Sequence, residues 1–336
     1  MSSLFFMELM LHNEARRFEQ SLARCETISL CAKAAGILRV VNLSAIRALT
    51  FGAVLAAHPA PAASRAEPLA QLEEAAKPTA EGIQDNSFLI EEAYNQEPGM
   101  VQHILNIVHS ANRHAGASSD EWTFVFTQEW PLFSQAHQLS YTVPFTFLDE
   151  QGRSTSGFGD VLLNYRYQAL TETKTRPAFA PRLSLILPTG DADEGLGDDT
   201  LGYQLNLPLS KVLNDRWTVH GNAGATLLPD VERHDLLNYN LGASVIYAVS
   251  SDFNLMLESV VNWDEEVREN GGTRRPAAVV LSPGLRYAFN HPNDAQTVIG
   301  LALPIGLTSA APDFGVFLYA SFEHFFFRPK AGGDGK

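Results

Sequence analysis

Arg166, Arg182 and Arg286 each stand among small or polar residues on one side of a segment whose other side is apolar. A guanidinium is always charged and carries a rigid fork of donors, so three of them in one confined space demand anionic partners. Asp160, Glu258, His220 and Asn222 lie on the same polar sides. The two acids are expected higher in the structure than the arginines, and His220 reads as a hydrogen-bonding residue. A richer source of negative charge is residues 67–97, which hold eight acidic residues against a single base, Lys77. Phe88, Leu89, Ile90 and Tyr94 give that stretch apolar anchors. The expectation is that residues 86–96 tuck among the arginines as a plug or gate, with Glu91 and Glu92 facing them. The alternative is a solvated acidic tail, the usual fate of a charge run.

Other chemistry finds less support. Asp191, Asp193, Glu194, Asp198 and Asp199 crowd one segment, but a calcium loop of the EF-hand type needs glycine sixth and glutamate twelfth. Counted from Asp191, Gly195 falls fifth and Gly202 twelfth. The cluster reads as a solvated acidic turn, or as a place for divalent ions that bridge lipopolysaccharide. Ser259 and His324 fall on or near outward faces while His220 points inward, with no spacing that marks a serine–histidine–acid unit. No catalytic residue, metal site or cofactor is assigned, and the chain is not read as an enzyme. Gly157 and Gly159 are not followed by a helix, so they are no nucleotide fingerprint. A formal charge of −14 argues against nucleic acid as a partner. Cys25 and Cys31 both lie near the start, which excludes a disulfide framework or a cysteine-ligated metal in the body.

The elements that must position the arginines are long strands. From Met100 onward the dominant period is two, the mark of strands with unlike environments on their two faces. One face runs Leu139, Tyr141, Val143, Phe145, Phe147, and another Tyr239, Leu241, Ala243, Val245, Tyr247, with no charge in either. The intervening residues are small and polar, as in Gln138, Ser140, Thr142 or Asn164, Arg166, Gln168. Twelve such segments fall near 100–109, 121–130, 137–147, 157–169, 178–188, 199–209, 215–227, 237–249, 252–263, 276–289, 296–306 and 314–327.

Length, aromatics, lysine and loops then separate a membrane barrel from a soluble sandwich. The segments mostly run ten to fourteen residues, against about five or six for soluble strands and about nine to eleven for tilted membrane strands. Aromatic residues gather towards strand ends, as at Trp122, Trp130, Phe147, Tyr167, Tyr203, Trp217, Trp263 and Phe289. No lysine is expected in a strand. The odd connections (110–120, 148–156, 189–198, 228–236, 264–275, 307–313) are expected to be longer than the even ones, which include Ser210–Asn214 and Ser250–Ser251. The reading is all-β: a transmembrane antiparallel up-and-down barrel of about twelve strands, residues 99–328, with both termini inside and a tail at 329–336. With a turn near Thr173, Arg166 and Arg182 come out almost opposite each other, and Arg286 falls on the facing wall. Charge is expected to be tolerated at inward positions such as Ser244 and resisted at outward ones such as Val245.

The front of the chain reads as an export signal. Arg47 is followed by an apolar run, Ala48–Ala57, then prolines and small residues ending at Ser64-Arg65-Ala66. Cleavage is expected after Ala66. This divides the chain into 1–42, a leader or an upstream start chosen in error, 43–66, the signal peptide, and 67–98, the acidic periplasmic or plug segment. Cleavage would remove seven of 24 basic and four of 38 acidic residues, leaving 17 against 34, a formal −17.

The stretch Asn86-Ser87-Phe88-Leu89-Ile90-Glu91-Glu92-Ala93-Tyr94-Asn95-Gln96, with Gly157-Phe158-Gly159-Asp160 and Leu187-Pro188-Thr189-Gly190-Asp191, resembles an outer-membrane family. That family is named for a putative MetA pathway of phenol degradation, and its members are often labelled transporters. The resemblance runs from Asn86 to the end and implies a barrel in the Gram-negative outer membrane. The expected function is a porin-like channel or transporter for small solutes, hydrophobic or aromatic ones included, in contact with outer-membrane lipid and lipopolysaccharide. A closed structural or adhesive barrel and a lipid-modifying enzyme are the alternatives.

Overall fold

The structure, a computed structural model, describes residues 82–83, 85–112, 119–150, 152–268 and 271–327. The expected signal peptide, the leader and the C-terminal tail lie outside the described residues. Twelve strands, all paired antiparallel, form one barrel. They are β1 (Met100–Asn112), β2 (Ser119–Leu132), β3 (Ser134–Glu150), β4 (Arg153–Phe158 and Val161–Tyr167), β5 (Ala178–Phe179 and Arg182–Leu187) and β6 (Gly202–Asn206 and Leu209–Asn214). There follow β7 (Trp217–Val231), β8 (His234–Ala248), β9 (Phe253–Trp263), β10 (Ala277–Asn290), β11 (Gln296–Ala302 and Ile305–Gly306) and β12 (Phe314–Phe325). β12 returns to pair with β1 from Met100↔Phe325 to Ala111↔Phe314, which closes the barrel so that it has no edge strand. Pro181, Pro208 and Pro304 stand at the breaks in β5, β6 and β11, where a residue without an N–H cannot extend the ladder.

The period-two pattern sorts the two faces. On the outside, Leu183, Leu185, Leu205, Leu241, Leu255, Leu257, Leu285 and Ile299 are all exposed, a leucine-rich belt that only lipid covers without cost. Aromatic pairs flank that belt: Trp217 lies 4.8 Å from Tyr247 towards one rim, and Trp122 and Phe147 are register partners towards the other. On the inside, Gln138, Ser140, Asn164, Arg166, His220, Asn222, Asn254, Glu258 and Arg286 are buried. Leu241, more than half exposed at 52%, tests the sorting. Leu241→Arg is expected to lower barrel stability by about 2–4 kcal/mol, read by heat-modifiability on gels. Asn262→Arg, on an inward face, is expected to leave the barrel folded.

Several connections differ from expectation. β3 and β4 pair out to Glu150↔Arg153, so the anticipated outer loop at 148–156 is a tight hairpin. β7 and β8 turn at Glu232 and Arg233, both at positive φ (48° and 71°), in place of a loop at 228–236. In the first hairpin polar residues continue the ladder past the membrane, where strand pairing needs no apolar face; in the second Leu228 pairs with Leu236 in a small buried apolar cluster. At the other rim β6 runs through Ser210–Asn214, the stretch expected to turn. The turn is Asp215–Arg216, held by Asn214 Oδ1, which accepts from the Arg216 and Trp217 N–H groups (3.0 and 3.2 Å). Lys211 is therefore a strand residue, contrary to expectation, and its Nζ reaches Glu172 Oε1 at 2.7 Å.

Candidate functional site

Residues 85–96 cross the lumen in a chain without helix or strand, and the barrel wall supplies their hydrogen bonds. A backbone with no ladder of its own must find partners wherever it is buried. Arg286 on β10 donates to the carbonyls of Asp85 (2.7 Å) and Asn86 (2.6 Å). The Asp85 carboxylate accepts from Gln102 Nε2 at 2.7 Å and from the hydroxyls of Tyr319 and Ser321. Ser87 and Ser244 share a hydroxyl–hydroxyl contact of 2.7 Å. Glu258 Oε1 on β9 accepts from the Leu89 and Ile90 N–H groups (2.9 and 3.2 Å). Ala93 N–H donates to Ser210 Oγ (2.7 Å), and Gln96 N–H to Gln138 Oε1 (2.7 Å).

The charged centre is Glu91. Its carboxylate receives Arg182 Nε at 2.8 Å, Asn206 Nδ2 at 2.7 Å and Arg166 Nη1 at 3.2 Å, from β5, β6 and β4 in turn. Arg166 and Arg182 are direct register partners, so two like charges share a wall and one carboxylate bridges them. Burial raises the pKa of the Glu91 carboxyl, but Arg182, Arg166 and the Asn206 hydrogen bond outweigh it and hold the group below its ordinary value. Arg166 spends its remaining donors on the segment as well: Asn95 Oδ1 (2.8 Å), the Glu92 carbonyl (3.1 Å) and the Tyr94 carbonyl (2.7 Å). With its amide oriented by this network, Asn222 on β7 accepts from Glu91 N–H (2.7 Å) and donates to the Glu91 carbonyl (3.1 Å).

The opposite wall is apolar, which the reading of a uniformly polar inner face missed. Phe88 stacks on Phe317 (5.4 Å between centroids) and lies 5.1 Å from Tyr319, in a cluster with Ile104, Ile246, Met256 and Val298. Glycines make the room. A Cβ at Gly300 would stand 2.2 Å from Phe88 Cζ, and one at Gly242 would stand 2.3 Å from Ile90 Cδ1.

The structure thus brings Arg166, Arg182, Arg286, Glu258, Asn222, Phe88, Glu91, Glu92 and Tyr94 to one segment. Arg286 meets backbone carbonyls there, not Glu91 or Glu92 side chains. Glu258 was expected apart from the segment, but the segment climbs to it. His220 contacts Ser210 Oγ through Nδ1 at 2.7 Å, and Tyr94 OH donates to Glu172. Asp160 belongs elsewhere: at the break in β4 it accepts from Gly190 N–H (2.9 Å) and Asp198 N–H (3.1 Å), pinning the loop between β5 and β6. Asp191 caps a short 3₁₀ turn in that loop, and Glu194 pairs with Arg153 at 2.9 Å. Ser259 and His324 sit on β9 and β12, which are not neighbours. Ser244, expected to tolerate charge, is buried against Ser87 and has no room for it. Sequence reasoning gave no site role to Asp85, Ser210, Gln138 or Glu129, although it placed Gln138 on an inward face; Glu129 Oε2 lies 3.8 Å from Arg166 Nη2. The signal for Glu129 was its parity with Thr127 on the inward face of β2.

A family model described as "Putative MetA-pathway of phenol degradation" matches residues 106–322. An outer membrane channel from Pseudomonas putida F1 superposes with a TM-score of 0.55 at 15% identity, covering 72% of this chain and 99% of that one. The NanC porin gives a TM-score of 0.39 at 11% identity, over 66% of this chain and 100% of its own. The KdgM porin gives 0.38 at 10%, over 67% and 99%. Comparison with curated proteins gives no match.

Proposed function

The chain belongs to the family described as "Putative MetA-pathway of phenol degradation", and from that premise we propose that it is an outer-membrane channel for small solutes, gated by its own residues 85–96. The observation that carries this reading is the bridge from Glu91 to Arg166 and Arg182 inside a closed barrel. A twelve-stranded barrel is wider than the barrels of about eight strands whose wall side chains fill the interior, so an added segment is what closes this lumen. A charged hub held by an otherwise irregular segment is a contact that can be exchanged for another anion. Hydrophobic or aromatic solutes are proposed on the family's description. Outer-membrane lipid against the leucine belt and lipopolysaccharide at the outer rim are the proposed surroundings.

The second reading, a permanently closed structural barrel, draws on the close fit of Phe88 and Ile90 over Gly300 and Gly242. Single-channel recording in a planar bilayer separates the two. Glu91→Gln with Glu92→Gln weakens the hub while keeping its shape, and charge-assisted bonds of this kind contribute about 1.5–3 kcal/mol each. The expected outcome is more frequent opening than in the unaltered protein. Conductance no greater than the empty bilayer in both proteins would favour the closed barrel.

A further inference from the structure

The carboxylate cradle around Glu91 is built largely without Glu91. Arg182 Nη1 is held by Asn164 Oδ1 (2.8 Å) and Ser184 Oγ (2.5 Å), and its Nη2 by Gln204 Oε1 (3.0 Å). Those bonds aim the remaining Nε at the carboxylate. Arg166 and Asn206 add one donor each. Donors fixed by the wall lose little freedom when an anion arrives, so they bind whichever carboxylate reaches them. Facing the cradle is the apolar wall of Phe317, Tyr319, Ile246, Met256 and Val298, now covered by Phe88. Glu91 and Phe88 together thus present a carboxylate and an aromatic ring to two complementary walls.

We infer that this cradle is a subsite for the solute itself, and that Glu91 occupies it as a built-in stand-in when the lumen is closed. The inference rests on the channel reading above and names the solute class: monocarboxylates with an aromatic or other apolar body. One charge fits better than two, because Glu129, 3.8 Å from Arg166, already offsets part of the positive charge. A free carboxylate competes with Glu91, so the solute both binds and loosens the segment.

The test is calorimetric titration of the full-length protein in detergent with benzoate, with benzamide as its neutral isostere and with inorganic phosphate. Glu91→Ala empties the cradle, and benzoate is expected to bind this variant about tenfold or more tightly than the unaltered protein. Benzamide should show no such gain, phosphate should bind less tightly than benzoate, and adding Arg182→Gln should abolish benzoate binding. Should Glu91→Ala fail to fold, Glu91→Gln, whose neutral amide competes for the cradle less than a carboxylate does, should show a smaller gain for benzoate and none for benzamide. Equal binding of benzoate and benzamide, no binding of either, tighter binding of phosphate, or indifference to Arg182 overturns the inference. Bilayer conductance of the same variant keeps the two readings apart. Binding without conductance removes the channel and leaves the site, whereas conductance without benzoate preference removes the site and leaves the channel.

Discussion

Deleting residues 67–96 is expected to turn a barrel that opens rarely into one that stays open and prefers anions. The deletion removes Asp85, Glu91, Glu92 and the carbonyls that now occupy Arg166 and Arg286. Arg166, Arg182 and Arg286 would then face water and solute, with Glu129 and Glu258 among the wall carboxylates near them. Removing three carboxylates from beside these guanidiniums makes the lumen more positive there, and in a narrow low-dielectric space such a change shifts ion preference towards anions. Reversal potentials in a salt gradient read the sign, and heat-modifiability confirms that the shortened protein is still a barrel. Unchanged conductance and selectivity would make residues 85–96 a passive filler and the arginines a structural cluster.

Gly300→Val is expected to open the full-length channel by a route that touches no charge. Its first added carbon would stand 2.2 Å from Phe88 Cζ, and a Cβ at Gly284 on the neighbouring strand would stand 3.1 Å from the same ring. Phe88 cannot simply swing away, since Phe317 and Tyr319 flank it. Overpacking of this kind costs about 1–3 kcal/mol, which would raise the open fraction roughly 5- to 140-fold where the closed state dominates. Phe88→Ala alone also removes an anchor of the segment, so the two changes together should open the channel by less than the sum of each alone. If the effects of Gly300→Val and Phe88→Ala simply add, the valine acts on the wall and not on the segment.

Much of this arrangement could be read from residue spacing, and the reasons for the failures are physical. Period-two alternation assigns a face to each strand residue without knowledge of its partner, which is why Arg166 and Arg182 were expected side by side. The strand ends were harder to place. Polar residues such as Ser154 and Thr155 read as loop, yet they pair with Asp149 and Leu148 because a hairpin outside the membrane needs no apolar face. The glycine floor was invisible: in a polar-inward strand Gly300 looks like any small residue, and the ring it accommodates lies more than two hundred positions away. Asp160 had the right parity but the wrong role, since the strand breaks at Gly159–Asp160 and turns its carboxylate towards loop N–H groups. Asp85 was one acid among eight, with nothing in its neighbours to mark it as the partner of Tyr319 and Ser321.

The central claim is that residues 85–96 close the lumen and leave it when the channel opens. Ser87 and Ser244 offer the most direct measurement, because their hydroxyl oxygens lie 2.7 Å apart, near enough for a paired substitution to cysteine to form a disulfide. The pair Ser87→Cys and Ser244→Cys would be placed in a protein carrying Glu91→Gln, whose segment is already loosened, and recorded in a planar bilayer before and after reduction. The account predicts that openings are absent while the disulfide is intact and return once it is reduced. Openings that persist at the same frequency with the crosslink demonstrably formed would contradict it.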